Sequence, residues 1–157
     1  MNIDLIVVGK TDSPLVAGLM EEYGRRISRY VRFACTALPD PKNRKSLSEE
    51  SQKRLEGEML LKQFSADDWV VLLDDKGTER TSVEFARWLE GVMLRGRKRL
   101  CFVVGGPYGF SRPVYERANE SLSLSRMTFS HQIVRALFAE QLYRAFTILH
   151  GEPYHHE

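Results

Sequence analysis

Three short segments of the sequence combine residue types that suit ligand chemistry. They are Asp74-Asp75-Lys76-Gly77, Gly105-Gly106-Pro107-Tyr108-Gly109 and Ser125-Arg126-Met127-Thr128-Phe129. Each follows an apolar stretch of strand character, so each sits where a strand ends. In open parallel sheets, ligands bind beyond the carboxyl ends of the strands. Glycines at such turns let a ligand approach the backbone closely. The two aspartates could serve acid–base or metal chemistry, although an Asp pair before a glycine is also ordinary turn chemistry. Neither G-x-G-x-x-G opening a helix nor G-x-x-x-x-G-K-[ST] occurs in the chain. Pro107 removes an N–H where a phosphate cradle needs one. A ligand without phosphates suits this set better than a dinucleotide.

A fourth group is the tail, Pro153-Tyr154-His155-His156. A tyrosine beside a histidine can stack on a nucleobase and exchange a proton. His150, His155 and His156 have no convincing companion ligands, so no metal is expected there. Cys35 and Cys101 lie in apolar stretches without a C-x-x-C pattern. Both are expected to be buried, reduced thiols, and zinc held by cysteine is excluded. His131 opens a predicted helix and is expected to cap it.

Basic residues fall into three groups. Arg25, Arg26, Arg29 and Arg32 form the first, Lys42, Arg44 and Lys45 the second, and Arg95, Arg97, Lys98 and Arg99 the third. Solvated helix faces account for such runs, and phosphate contacts are the second reading. The net charge is only +2. That is too small for a global nucleic-acid footprint, but local patches matter more than the sum.

The elements that must position these residues alternate in type. Strands are predicted at Asn2–Val8, 31–38, 69–73, 100–104 and 121–125. Ser13-Pro14 supplies an N-cap and a first-turn proline. Leu15, Leu19, Tyr23, Ile27 and Tyr30 then mark one helix face. A polar loop over 39–48 leads to a helix reaching about residue 64, with Leu55, Met59 and Leu60 as its apolar side. Thr81 and Glu84 form a capping box for a helix to about Arg95. A short helix covers 113–119. A long one covers 131–150, its apolar stripe built from Ile133, Leu137, Phe138, Leu142, Phe146 and Leu149. Such alternation predicts an α/β layer fold with a largely parallel sheet flanked by helices.

The chain has 157 residues, the size of one domain spanning 1–157. A core of that size needs neither disulfide nor metal. No apolar run approaches the ~18–20 residues that span a bilayer, and the start lacks signal-peptide character. A soluble, cytoplasmic protein is the expectation.

The ordered set of motifs closely resembles the RlmH (YbeA) family. The set is Val103-Val104-Gly105-Gly106-Pro107-Tyr108-Gly109, Ser123-Leu124-Ser125, His131-Gln132-Ile133-Val134-Arg135, Glu140-Gln141-Leu142-Tyr143-Arg144-Ala145 and Pro153-Tyr154-His155. Val8-Gly9-Lys10 and Leu72-Leu73-Asp74 extend the likeness along the whole chain. These are bacterial large-subunit rRNA methyltransferases of the SPOUT superfamily. The resemblance implies a SPOUT fold with a C-terminal deep trefoil knot, an exception to the rule against knots. It implies a homodimer that uses S-adenosylmethionine to methylate N3 of a pseudouridine in the helix 69 loop of 23S rRNA, on the assembled ribosome.

By motif match the cofactor would contact Leu73, Gly105, Leu124, Ser125, Arg126, Met127, Thr128 and Phe129. His155 is the candidate base or proton shuttle, and Tyr154 would position the target base. Arg25, Arg135, Arg144 and His156 are candidates for RNA or subunit contacts. Arg135 and Arg144 could instead pair with Glu140. Members often carry arginine or lysine after the tail histidine, where this chain has His156. A non-catalytic RNA-binding or ribosome-assembly protein of the same fold is the alternative. A small-molecule α/β enzyme is the third reading.

Overall fold

The structure, a computed structural model, describes residues 1–156. Five strands form one sheet: β1 (Asn2–Val8), β2 (Arg32–Leu38), β3 (Trp69–Glu79), β4 (Arg99–Val104) and β5 (Glu120–Ser123). Their order is β2-β1-β4-β3-β5, and every pairing is parallel. Five α-helices accompany them: α1 (Pro14–Ile27), α2 (Glu49–Leu61), α3 (Ser82–Met93), α4 (Arg112–Arg117) and α5 (Ile133–Leu149).

Strand side chains alternate between two faces, and both faces are covered. Ile3, Leu5, Val7, Val71, Leu100, Phe102 and Val104 pack with Ile27 of α1, Phe85 and Leu89 of α3, and Phe138 and Leu142 of α5. Ile6, Val8, Val70, Leu72, Cys101 and Val103 pack with Leu60 of α2, Val114 of α4 and Phe110. β1, β4 and the first half of β3 are apolar on both sides for this reason, as parallel strands usually are.

Local signals start the helices as expected. The Ser13 hydroxyl accepts from the Val16 N–H, with proline in the first turn. Thr81 and Glu84 make the reciprocal capping box. The long helix departs from expectation: the Ser130 hydroxyl, not His131, accepts from the Ile133 N–H.

Three other expectations are corrected. Asp74-Asp75 does not end the third strand. Residues 74–77 leave the ladder and return, so that Leu122 pairs with both Leu73 and Thr78. Within this excursion the Asp74 carboxylate accepts from the Lys76 N–H at 3.0 Å, which is the turn chemistry expected. Gly77 permits the return, because a Cβ there would lie 2.7 Å from the Ser121 backbone. Cys35 is exposed, because β2 is an edge strand and only its Leu38 is buried. Leu15 and Leu19, on the periodic face of α1, are 83% and 45% exposed, whereas Ile27 of the same face is buried and Val16 is the buried residue of the first turns. No described helix is long and apolar enough to cross a membrane.

Candidate active site

A cleft of about 650 Å³ opens at the carboxyl ends of β4 and β5 and at the excursion of β3 after Leu73. Leu73, Val104 and Leu122 form its floor, residues 105–110 one wall, and residues 124–131 the other. Seven of the eight expected cofactor residues line it: Leu73, Gly105, Leu124, Ser125, Met127, Thr128 and Phe129. Arg126 does not. The Ser125 hydroxyl accepts from the Met127 N–H, which makes a tight turn with Arg126 at its apex. The Arg126 side chain projects outward to Glu79 at 3.2 Å.

Two aspartates hold the walls. Asp75 accepts from the Thr128 hydroxyl at 3.0 Å, and its carbonyl accepts from the Ser123 hydroxyl at 3.1 Å. This ties the 124–130 loop to the excursion of β3. Asp74 accepts from the Tyr115 hydroxyl. Burial alone would raise the Asp74 pKa; the bonds from Tyr115 and the Lys76 amide outweigh it and hold the carboxyl below its usual value. Burial and that same carboxylate raise the Tyr115 phenol. The lining described has two carboxylates, two lysines (Lys53 and Lys76) and no arginine. The two carboxylates and two lysines balance in formal charge.

Lys53, Tyr115, His131 and Glu56 escaped the sequence reading as parts of the site. His131 lines the cleft; burial, and then Arg135, push its imidazole below its usual pKa, favouring the neutral ring. Glu56, on α2, lies directly behind the glycine turn. A Cβ on Gly106 would sit 2.5 Å from each Glu56 carboxylate oxygen. Gln52 and Glu56 are four residues apart, so they share a helix face, but a buried carboxylate has no apolar periodicity to reveal it.

In the tail Tyr154 and His155 are partly buried, and the other described residues are exposed. The Tyr154 hydroxyl donates to Glu140 at 3.0 Å, and its ring meets Tyr143 edge-on at 4.7 Å. Burial, with Tyr23 and Glu140 adding to it, raises the Tyr154 phenol. Arg144 donates to Glu140 as expected, stacks over the Tyr154 ring at 4.7 Å, and lies 3.1 Å from His155 Nδ1. His156 is exposed. His150 sits on the Phe146 carbonyl and the Tyr30 ring. Among the described residues no group of three His, Cys, Asp or Glu could hold a metal ion.

Tail and cleft do not meet within one chain. Val134 lines the cleft and Arg144 holds the tail. Ten steps along the helix separate them, about 15 Å.

The arginine candidates separate. Arg25 pairs with Glu22 on the exposed face of α1. Arg135 is contradicted as a contact for RNA or a subunit, and it does not pair with Glu140. Its side chain is wholly buried and donates to the carbonyls of Val8, Gly9 and His131 and to the Thr11 hydroxyl. The reason is its place on the inward face of α5, over the end of β1. Of the third basic group, Arg95 and Arg97 lie over the Trp69 ring, at the amino end of β3. That end is opposite the cleft.

The family model described as "Predicted SPOUT methyltransferase" matches residues 1–155. A Parabacteroides distasonis protein named "Ribosomal RNA large subunit methyltransferase H" is 54% identical over 157 residues, covering 100% of both chains. Proteins of the same name from Flavobacterium johnsoniae and Porphyromonas gingivalis are 52% and 53% identical, again over 100% of both chains. Among solved structures, "a probable methylase family protein from Haemophilus influenzae Rd KW20" has a TM-score of 0.51 at 17% identity. That alignment covers 96% of this chain and 66% of the other, and it is a likeness of fold. The full-length matches leave one assignment: the chain belongs to the SPOUT methyltransferases and, within them, to the RlmH family.

Proposed function

We propose that this protein is an S-adenosylmethionine-dependent methyltransferase of large-subunit rRNA. Its target in this reading is N3 of a pseudouridine in the helix 69 loop of 23S rRNA, within the assembled ribosome. The observation that carries the reading is the cleft. It lies at the carboxyl ends of β4 and β5 beside the break in β3, and its lining combines apolar residues with two carboxylates and two lysines. These residues fit the cofactor. Leu73, Leu124, Met127 and Phe129 would flank the adenosine, and Asp74 and Asp75 would offset the positive charge.

S-adenosylmethionine supplies an activated methyl group on a cationic sulfur. The chain's own residues then have two tasks, alignment of the target and removal of the N3 proton. His155 is assigned the second. Arginine only donates, so at 3.1 Å Arg144 fixes Nδ1 as an acceptor and places the ring proton on Nε2. To take a proton at Nδ1, the imidazole must leave Arg144. Tyr154, protonated at neutral pH, would move with it and position the base.

Since tail and cleft lie apart in one chain, the tail acts in the cleft of a second copy. The support for a homodimer is an exposed apolar face. Leu15 and Leu19 of α1 and Ile133 and Leu137 of α5 are all more than a third exposed, as are Met127 and Phe129 beside them. Both helices begin at the cleft end of the sheet. Two copies laid together with their α5 helices opposed would bring each tail toward the other's cleft. Leu19→Glu with Leu137→Glu is expected to convert the dimer to an 18.1 kDa monomer by sedimentation velocity and to abolish methylation. A monomeric wild type sinks the shared site.

This reading includes the trefoil knot. In its support, β5 lies at the sheet edge, the following loop crosses the strand ends, and α5 lands over β4. A ribosomal substrate also places the protein in the cytoplasm.

The test is mass spectrometry of 23S rRNA from cells with and without the gene, paired with calorimetric titration of S-adenosylmethionine. Loss of one methyl group from the helix 69 pseudouridine is expected. Unchanged methylation sinks the target. Absence of cofactor binding moves the protein to the non-catalytic, ribosome-binding reading.

A further inference from the structure

Behind the glycine turn of the cleft sits a carboxylate with no evident structural justification. Glu56 is 2% exposed. Its Oε2 accepts from Gln52 Nε2 at 3.1 Å, and its Oε1 has no hydrogen-bond partner. Buried polar groups are normally satisfied, and an exception calls for an explanation. An unsatisfied carboxylate in the interior costs stability. An apolar side chain of similar size would fill the site without that cost. Asp40 and Arg44, after β2, are the charged groups that act on it electrostatically, with opposite effects.

The placement suggests what the carboxylate does. Gly106 has no room for a side chain, since a Cβ would fall 2.5 Å from both Glu56 oxygens. Burial raises the Glu56 carboxyl above its usual value, and the bonds from Gln52 and the Gly106 backbone amide act against that rise. Gly105 and Gly106 both line the cleft, whereas Glu56 lies behind them. One turn of α2 away, Lys53 reaches the cleft itself. The α2 face therefore backs the wall on which a ligand would rest.

We propose that Glu56 is a positioning residue for the methyl-donor cleft: its buried carboxylate orients the Gly105–Gly106 peptide that the bound cofactor contacts. The inference rests on the cofactor reading above. A group that costs stability and organises a binding turn is the expected signature of strain kept at a functional site.

The test reads stability and affinity on the same variants. Glu56→Met removes the charge and keeps most of the volume. It is expected to raise the apo Tm by about 3–6 °C. It is also expected to weaken S-adenosylmethionine binding about tenfold or more by calorimetry. Glu56→Asp keeps the charge but withdraws it from Gly106, and it is expected to lose affinity as well. Glu56→Gln keeps the shape and an acceptor oxygen and should retain affinity within about threefold. Falling Tm and affinity together in Glu56→Met would make the residue merely structural and overturn the proposal. Wild-type affinity in Glu56→Asp would overturn it too, including where Glu56→Met fails to fold. Failure of the wild type to bind the cofactor overturns the cofactor reading itself, a separate outcome visible before any variant is made.

Discussion

His155→Ala is expected to lower turnover by about 10²–10⁴-fold and to leave S-adenosylmethionine affinity within about threefold. The split follows from where the residues lie. Within one chain no described tail residue lines the cleft, and the residues assigned to hold the cofactor, Leu73, Leu124, Met127 and Phe129, are untouched by truncating the imidazole. What it removes is the group assigned to take the N3 proton. Tyr154→Phe keeps the ring that meets Tyr143 and loses the bond to Glu140. Its effect should be smaller, about 3–10-fold, if the ring rather than the hydroxyl positions the base. The measurement is radiolabelled methyl transfer to ribosomes lacking the modification, with calorimetry on the same preparations. Equal loss of turnover and affinity would make the tail a lid over the cleft. Unchanged turnover would take His155 out of the chemistry.

Much of this arrangement was legible in local signals. Ser13-Pro14 and Thr81 with Glu84 mark helix starts because capping is a contact between near neighbours. The cleft was legible because glycines, aspartates and serines gather where parallel strands end. Periodicity was less complete. It marks Leu15 and Leu19 as apolar, but it cannot say whether their cover is this chain or another. Composition suggested a buried Cys35, yet burial depends on where a strand lies in the sheet, and β2 lies at an edge.

Charge was the least legible property. The sequence holds three basic groups in a chain of net charge +2, read first as solvated faces and second as phosphate contacts. The fold sends Arg95 and Arg97 to Trp69, at the pole opposite the cleft. A single chain therefore does not gather its basic residues around its own cleft. If the tail of one copy serves the cleft of another, the tail end and the cleft end adjoin across the dimer. Arg25 and its neighbours near the end of α1 would then border the partner's cleft. A chain of nearly neutral overall charge could in that way present a local basic surface to rRNA.

Arg135 shows the same limit at one residue, and it carries the largest stability effect expected. Arg135→Ala should destabilise the fold by about 3–5 kcal/mol. The guanidinium is fully buried, and among the described residues its hydrogen-bond partners are neutral oxygens. It spans from the His131 carbonyl, at the start of α5, to the Val8 and Gly9 carbonyls, at 2.8 Å each, beyond the end of β1. Burial depresses its pKa, yet a guanidinium stays charged. Truncation orphans those carbonyls, each a cost of about 1–3 kcal/mol, and leaves a cavity the size of an arginine. Arg135→Met fills most of the cavity but satisfies no carbonyl, so it should recover only part of the loss. Arg135→Lys keeps the charge as a point and cannot fork between strand and helix. Ser130, His131 and Val134 border the cleft from the same helix start. All three variants should therefore bind S-adenosylmethionine more weakly even where they remain folded. Urea denaturation with calorimetry checks both effects. A methionine variant as stable as wild type would mean that the buried charge, rather than its hydrogen bonds, dominates the balance, and the assigned role of Arg135 as the clamp between β1 and α5 would fall.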